Sequence, residues 1–336
     1  MRLSIISLAL ALALVPGAAR AQTVTIKLGT LAPDGSTWHQ LLKEFAQKCA
    51  DASDGRVKVK IYAGGVAGNE GDMVRKMRVG QLQAAALTVV GLHDIEAAPQ
   101  ALATPGLITT EEEWDYVFKT LPPKWEQRFI DKGFVPLMWG DTGWIYLFFD
   151  KETKTTAQAK GTKVFAWAGD PASVRGWELA GFTPVVISST DILTSLSTGM
   201  IEGVAMSPVV AFTARYYEHA RYMPDVTWGH LPGATVILKE TWEKIPADVR
   251  PKLMAIAREY GLQLNREVLK MQADALEQMK KNGLIVTSLT DAERQAWQKV
   301  AESSWPAIRG GVVPAADFDE VKRTRDEFRA TKGAKK

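Results

Sequence analysis

Between Gly161 and Pro208 short apolar runs alternate with amphipathic stretches, and the punctuation between them predicts strand, helix, strand, helix and strand. A buried strand at Lys163 to Trp167 leads into a helix opened by Gly169-Asp170-Pro171, where Asp170 can cap and Pro171 suits the first helical position. Gly181 stops that helix. The run Val185 to Ile187 predicts a second strand, Thr190 or Asp191 caps a second helix that Gly199 ends, and Gly203 to Met206 forms a third strand before a further start at Ser207-Pro208. Alternation of this kind implies a parallel sheet with both faces covered.

The N-terminal half follows the same logic. A strand around Val24 to Leu28 and a Pro33-Asp34-Gly35 turn precede a helix capped by Ser36 or Thr37 and ended by Gly55. Val57, Val59 and Ile61 alternate as in a strand, Gly64-Gly65 and Gly68 make a loop, a helix runs from about Gly71 to Val79, and Leu82 to Val90 is a further strand. The Gly-rich loop has neither the Lys-Ser/Thr of a P-loop nor G-x-G-x-x-G spacing, so it is no phosphate cradle. Phe134 to Trp139 and Trp144 to Phe149 are β-rich runs flanking Gly140 to Gly143, and a return crossing is expected near Leu231 to Ile237. Past Ile245, apolar residues keep helical spacing for more than thirty residues until Gly283. Ile285 to Leu289 can then return as a strand, and Thr290-Asp291 caps a helix containing Trp297 and Val300.

The N-terminal pattern leads us to expect an exported, periplasmic protein. Met1-Arg2, the apolar run Leu3 to Val15 and Ala19-Arg20-Ala21 have the form of a signal peptide over residues 1–21, too short to span a bilayer. Its removal deletes Arg2 and Arg20 and lowers the net charge from +3 to +1, which argues against nucleic acid as a partner. The basic tail from Lys322 reads as a solvated helix end and frayed terminus. Cys49 is the single cysteine and falls in the helical pattern Leu41, Leu42, Phe45, Cys49, so it reads as a buried thiol and excludes an internal disulfide. The mature length exceeds what one core usually sustains, and two lobes are expected.

The segment from Gly161 to Pro208 resembles the second domain of the DctP-type substrate-binding proteins of TRAP transporters. The residues that carry the resemblance are Lys163-Val164-Phe165, Gly169-Asp170-Pro171, Gly181-Phe182-Thr183-Pro184, Asp191 to Leu196 and Gly199-Met200-Ile201-Glu202-Gly203. The similarity extends upstream and covers about residues 24 to 290. It implies an α/β, two-lobe periplasmic-binding-protein-like fold with a hinge of crossing strands and a long spine helix. Lobe I would comprise 22–142 and 232–270, lobe II 143–231 and 271–310, with a C-terminal helical tail at 311–336. It further implies a periplasmic protein that captures a small molecule by hinge closure and hands it to TRAP-type permease subunits; a periplasmic accessory protein that loads the ligand is left open.

The resemblance also marks the candidate binding residues. Asn69 and Glu70 would border the cleft, and Thr88 would stand at its mouth, where ligands meet strand carboxyl ends. Most members carry an Arg on the lobe-two strand that pairs with a ligand carboxylate, and Phe165 occupies that position. A second Arg maps to Trp144 or Ile145, and the usual Asn before the final Pro maps to Ser207. An unpaired buried anion costs several kcal/mol, on the order expected for an uncompensated charge. With Trp144, Phe165, Trp167 and Met206 in these places, the ligand is expected to be apolar or amphipathic rather than a small dicarboxylate, the alternative being a small organic acid held by a non-standard cation such as Arg175. Trp38 and Trp228 are further candidates for the lining, weighed against ordinary core packing for every one of these aromatics.

Enzyme readings do poorly. His39, His93, His219 and His230 are scattered, and the chain has no H-E-x-x-H and no G-x-S-x-G, so no catalytic residue, metal ligand or cofactor is expected. An α/β hydrolase using Ser207 remains the lower alternative, and a scaffold docking through exposed Trp residues the third.

Overall fold

The computed structural model describes residues 23–168 and 171–333. The expected signal peptide and the Asp170 cap lie outside the described residues.

Among the described residues, ten strands build one mixed sheet: β1 (Val24–Thr30), β2 (Val57–Tyr62), β3 (Ala84–Thr88), β4 (Phe134–Phe149), β5 (Lys163–Trp167), β6 (Thr183–Ile187), β7 (Gly203–Met206), β8 (Tyr222–Pro224), β9 (Thr227–Leu238) and β10 (Ile285–Thr287). Their order is β2-β1-β3-β9-β4-β7-β5-β6, with β8 and β10 branching from β4. Each lobe has a parallel set, β2-β1-β3 in the first and β7-β5-β6 in the second. The antiparallel pair β4 and β9 joins them. This pair forms the expected hinge. The purely parallel sheet expected from the sequence is thus interrupted by the two strands that cross between lobes.

The two β-rich runs around Gly140 to Gly143 are one continuous strand, bent by register shifts between Asp141 and Trp144 and at two neighbouring points. Gly143 has φ +84°, and a Cβ there would lie 2.4 Å from the Gln272 side chain. Gln272, buried on the helix Arg250–Lys281, fills that space: its Nε2 donates to the Trp144 carbonyl at 2.7 Å and its Oε1 accepts from the Trp144 amide at 3.2 Å. A β-bulge disturbs the ladder, and here a side chain from the long helix takes up backbone groups beside it.

That helix spans 32 residues and serves both lobes. Leu253, Ala257 and Tyr260 pack with Phe45, Cys49 and Ile237 under the first lobe, whereas Met279 packs with Phe148, Phe165 and Met206 under the second. Apolar burial along its whole length accounts for a helix this long without a coiled-coil partner.

Two other expectations change. The strand expected to reach Val90 stops at Thr88, because the Thr88 hydroxyl accepts from the Val90 amide and starts a short helix, Val89–His93. The C-terminal segment does not fray within the described residues. It forms the helix Ala315–Gly333 and docks on the first lobe through buried Phe318 and Val321. Arg325 donates to the Leu107 carbonyl, and Arg329 pairs with Glu113. Among the described residues, no helix is long and apolar enough to cross a membrane.

Candidate functional site

The carboxyl ends of β1, β3 and β5 face one cavity of about 540 Å³ between the lobes. Crevices in this position and of this size are where open α/β sheets hold small molecules. Trp38, Leu41 and Phe45 from the helix Thr37–Ala52 supply an apolar wall, which Tyr260 and Leu264 of the long helix extend. The hinge strands give Met138 and Gly140–Thr142 from β4 and Gly233–Thr235 from β9. The second lobe closes it with Trp167, Ile192, Leu193, Met206, Val210 and the turn Thr213–Tyr216. A second cavity of about 140 Å³ is lined by Phe165, Trp177, Trp228 and His230, and Trp167 and Leu231 border both spaces.

Polar groups on the main wall are few. Glu70 opens the helix Glu70–Arg78, whose first turn is fixed by the Asn69–Asp72 capping box. Its Oε1 accepts from the Thr88 amide at 2.8 Å, and its Oε2 accepts from the Thr88 hydroxyl at 2.7 Å and the Gly91 amide at 2.8 Å. Burial pushes this carboxyl above its usual range, and the three donors pull against that rise. Glu70 therefore ties the end of β3 to the helix that follows, with its oxygens already engaged. Burial pushes the Tyr216 hydroxyl up to about 12, so it stays protonated and able to donate.

Arg215 is the only Lys or Arg among the described residues that line this cavity. It adopts a left-handed backbone, φ +60°, in the turn after the helix Pro208–Thr213. Its Nε donates to Glu218 Oε1 at 2.7 Å, an ion pair that holds the guanidinium charged. With about two thirds of its side chain exposed, it stands at the lip rather than in the depth.

The sequence candidates divide by position. Trp38, Glu70, Thr88, Trp167 and Met206 are brought together on the main wall. Phe165 is buried in the second-lobe core, edge-on to Trp167 at 5.1 Å, and reaches only the smaller cavity. Trp228 stacks on Trp177 at 5.3 Å and also borders only the smaller cavity. Trp144 and Ser207 line neither: the Trp144 indole faces the first-lobe core and donates to Glu111, while the fully buried Ser207 hydroxyl caps the helix Pro208–Thr213. Asn69 spends its side chain on the same capping box and lines neither. Arg175 is exposed, paired with Glu178, and also lines neither. Two charged wall residues had no sequence signal, Arg215 and Asp141. Asp141 is buried, its Oδ2 sits 2.9 Å from His230 Nδ1, and its Oδ1 has no hydrogen-bond partner. The His230 ring is held between Trp114 and Trp144 at 3.8 and 3.9 Å between centroids.

The family described as bacterial extracellular solute-binding protein, family 7, matches residues 28–309. A solute-binding protein of Roseobacter denitrificans is 26% identical over 317 residues, covering 92% of this chain and 89% of its own length. A TRAP periplasmic solute-binding protein from Ralstonia eutropha with bound (S)-2-acetolactate superposes with a TM-score of 0.83 at 20% identity, covering 91% of this chain and 99% of that one. Another from Roseobacter denitrificans, with bound β-D-glucuronate, gives 0.80 at 17% identity, covering 90% and 98%. Both solved proteins hold acids, which counts against the hydrophobic ligand expected from the sequence. The cation that expectation left out of account, Arg215, is on the cavity wall.

Proposed function

The chain belongs to family 7 of the bacterial extracellular solute-binding proteins, the TRAP-type periplasmic binding proteins, and from this premise we propose that its ligand is an organic acid with a sizeable apolar body. These are transport proteins rather than enzymes, and binding, closure and release are the whole of the chemistry. The reading rests on one observation: apolar walls surround the main cavity, and a single cationic side chain stands at its lip. Arg215 meets the carboxylate, and Trp38, Leu41, Trp167 and Leu264 take the body of the ligand out of water. Each methylene so buried contributes about 0.8 kcal/mol.

Closure follows from the hinge. The lobes approach about β4 and β9, the cleft loses its water, and the pairing of Arg215 with the carboxylate strengthens as the surrounding dielectric falls. The protein is exported by its N-terminal signal segment, and once liganded it docks on TRAP-type membrane subunits.

Trp38 and Trp167 provide the assay, since both line the cleft. Tryptophan fluorescence and calorimetry with a panel of aliphatic and aryl carboxylic acids, each beside its primary amide, should show acids binding at least tenfold tighter than amides. Arg215→Gln should remove most of that preference without lowering the melting temperature, as its side chain is largely exposed. Equal binding of acids and amides, or an unaltered preference in the variant, would overturn the assignment.

A further inference from the structure

Asp141 lies on the cleft wall at the centre of the hinge strand, its side chain only about 2% exposed. One oxygen is engaged by His230, and the other is buried without a partner. A buried carboxylate oxygen left unpaired is unfavourable, and native proteins satisfy such groups or reserve them for a ligand. A second unpartnered oxygen, Ser189 Oγ, is buried on the same wall and comes from the second lobe. A hinge acceptor and a lobe-two hydroxyl thus line the same cavity.

We infer that Asp141 is a specificity residue: its free Oδ1 accepts a hydrogen bond from a hydroxyl or ammonium group on the acid ligand. A carboxylate oxygen only accepts, so it selects ligands that bring a donor and rejects those that present a second acceptor. His230 is a positioning residue. Because Asp141 Oδ2 accepts, the imidazole carries its proton on Nδ1, and the indole rings of Trp114 and Trp144 fix the plane of the ring that orients the carboxylate. The cleft then reads two features of one molecule, the acid at Arg215 and the donor at Asp141, with the apolar body between walls. The inference rests on the organic-acid reading above.

The test compares matched probes by calorimetry: 3-phenylpropionate, 3-phenyllactate and phenylalanine, with 4-methylpentanoate, 2-hydroxy-4-methylpentanoate and leucine as the aliphatic set. The hydroxy or amino member should bind roughly 10- to 100-fold tighter than its parent acid, the range for a hydrogen bond to a charged group. Which of the two wins identifies the donor. Asp141→Asn must either give its one amide oxygen to His230 and present NH2 to the ligand, or leave His230 Nδ1–H unmatched. It should therefore lose the advantage, bringing the affinity ratio of the donor-bearing to the parent acid close to one, while far-UV circular dichroism and the melting temperature report that the variant is folded. If the variant does not fold, the wild-type comparison decides alone. Acids that bind with no advantage for the donor-bearing member, or with one that Asp141→Asn leaves intact, overturn the inference alone. Failure of every acid to bind overturns the organic-acid reading and this inference with it.

Discussion

Replacing Gln272 by Leu tests how the long helix is joined to the hinge. The side chain is about 5% exposed and makes two hydrogen bonds to a single residue, donating to the Trp144 carbonyl and accepting from its amide. Leucine matches its bulk closely and keeps contact with the bulge at Gly143, so little volume is lost. What remains is a buried amide and a buried carbonyl deprived of this partner, each costing about 1–3 kcal/mol. Taking the low to middle of that range, Gln272→Leu should destabilise by about 3 kcal/mol, a large share of the roughly 5–15 kcal/mol that holds a domain together. Urea unfolding followed by circular dichroism should show a lower midpoint with an unchanged slope. Gln272→Glu provides the control for polarity: its second oxygen would face the Trp144 carbonyl at the present 2.7 Å, acceptor against acceptor, so at pH 8 it should be at least as damaging as Leu. A loss of under about 0.5 kcal/mol for Leu, the range of an ordinary surface change, would refute the view that these two bonds anchor the hinge.

Other consequences follow from particular positions. Gly233 lies where a Cβ would come within 2.2 Å of the Leu87 carbonyl oxygen, so Gly233→Ala should force β3 from β9 at the cleft floor, lowering stability by about 3 kcal/mol and weakening ligand binding, both read by calorimetry. Burial pushes the Cys49 thiol up to about 12, and iodoacetamide at pH 8 should label it only after denaturation, as mass spectrometry would show. Burial alone would raise Glu113, but hydrogen bonds from Arg329 and Thr109 hold it below the usual carboxylate range. A depressed carboxyl stabilises above its unfolded pKa of about 4.3, and that contribution fades as pH falls through the folded value. Arg329→Met should therefore be less stable than the wild type at pH 7, with the gap closing below about pH 4 in urea midpoints measured across pH. A constant gap would mean that the lost packing of the arginine stem, not the charge, is responsible.

Much of the architecture was legible because it is locally encoded. The Thr290 cap, the Ser36 cap and the positive-φ glycines at 181, 199 and 283 set element ends through contacts within a few residues, whereas the Asn69–Asp72 capping box went unread. The docking of the tail was hidden, because Arg325 and Arg329 look like solvent-facing charges until Leu107 and Glu113, more than two hundred residues away, are brought alongside.

The cleft shows where the sequence stops. By itself it determined alternating α/β elements and one long continuous helix, since apolar period and caps act over short range; the crossing strands and the helix backing both lobes were what the family resemblance implied. Which aromatic faces the ligand it could not determine: a strand in a sheet covered on both faces is apolar on both, so alternation loses its inside and outside. Trp144, Phe165 and Trp167 carry similar signals, yet one fills a core, one backs another ring, and one lines the cleft. Arg215 and Asp141 became wall residues only through a left-handed turn and a bulged hinge strand, because tertiary packing alone brings the two lobes and the hinge to a common space.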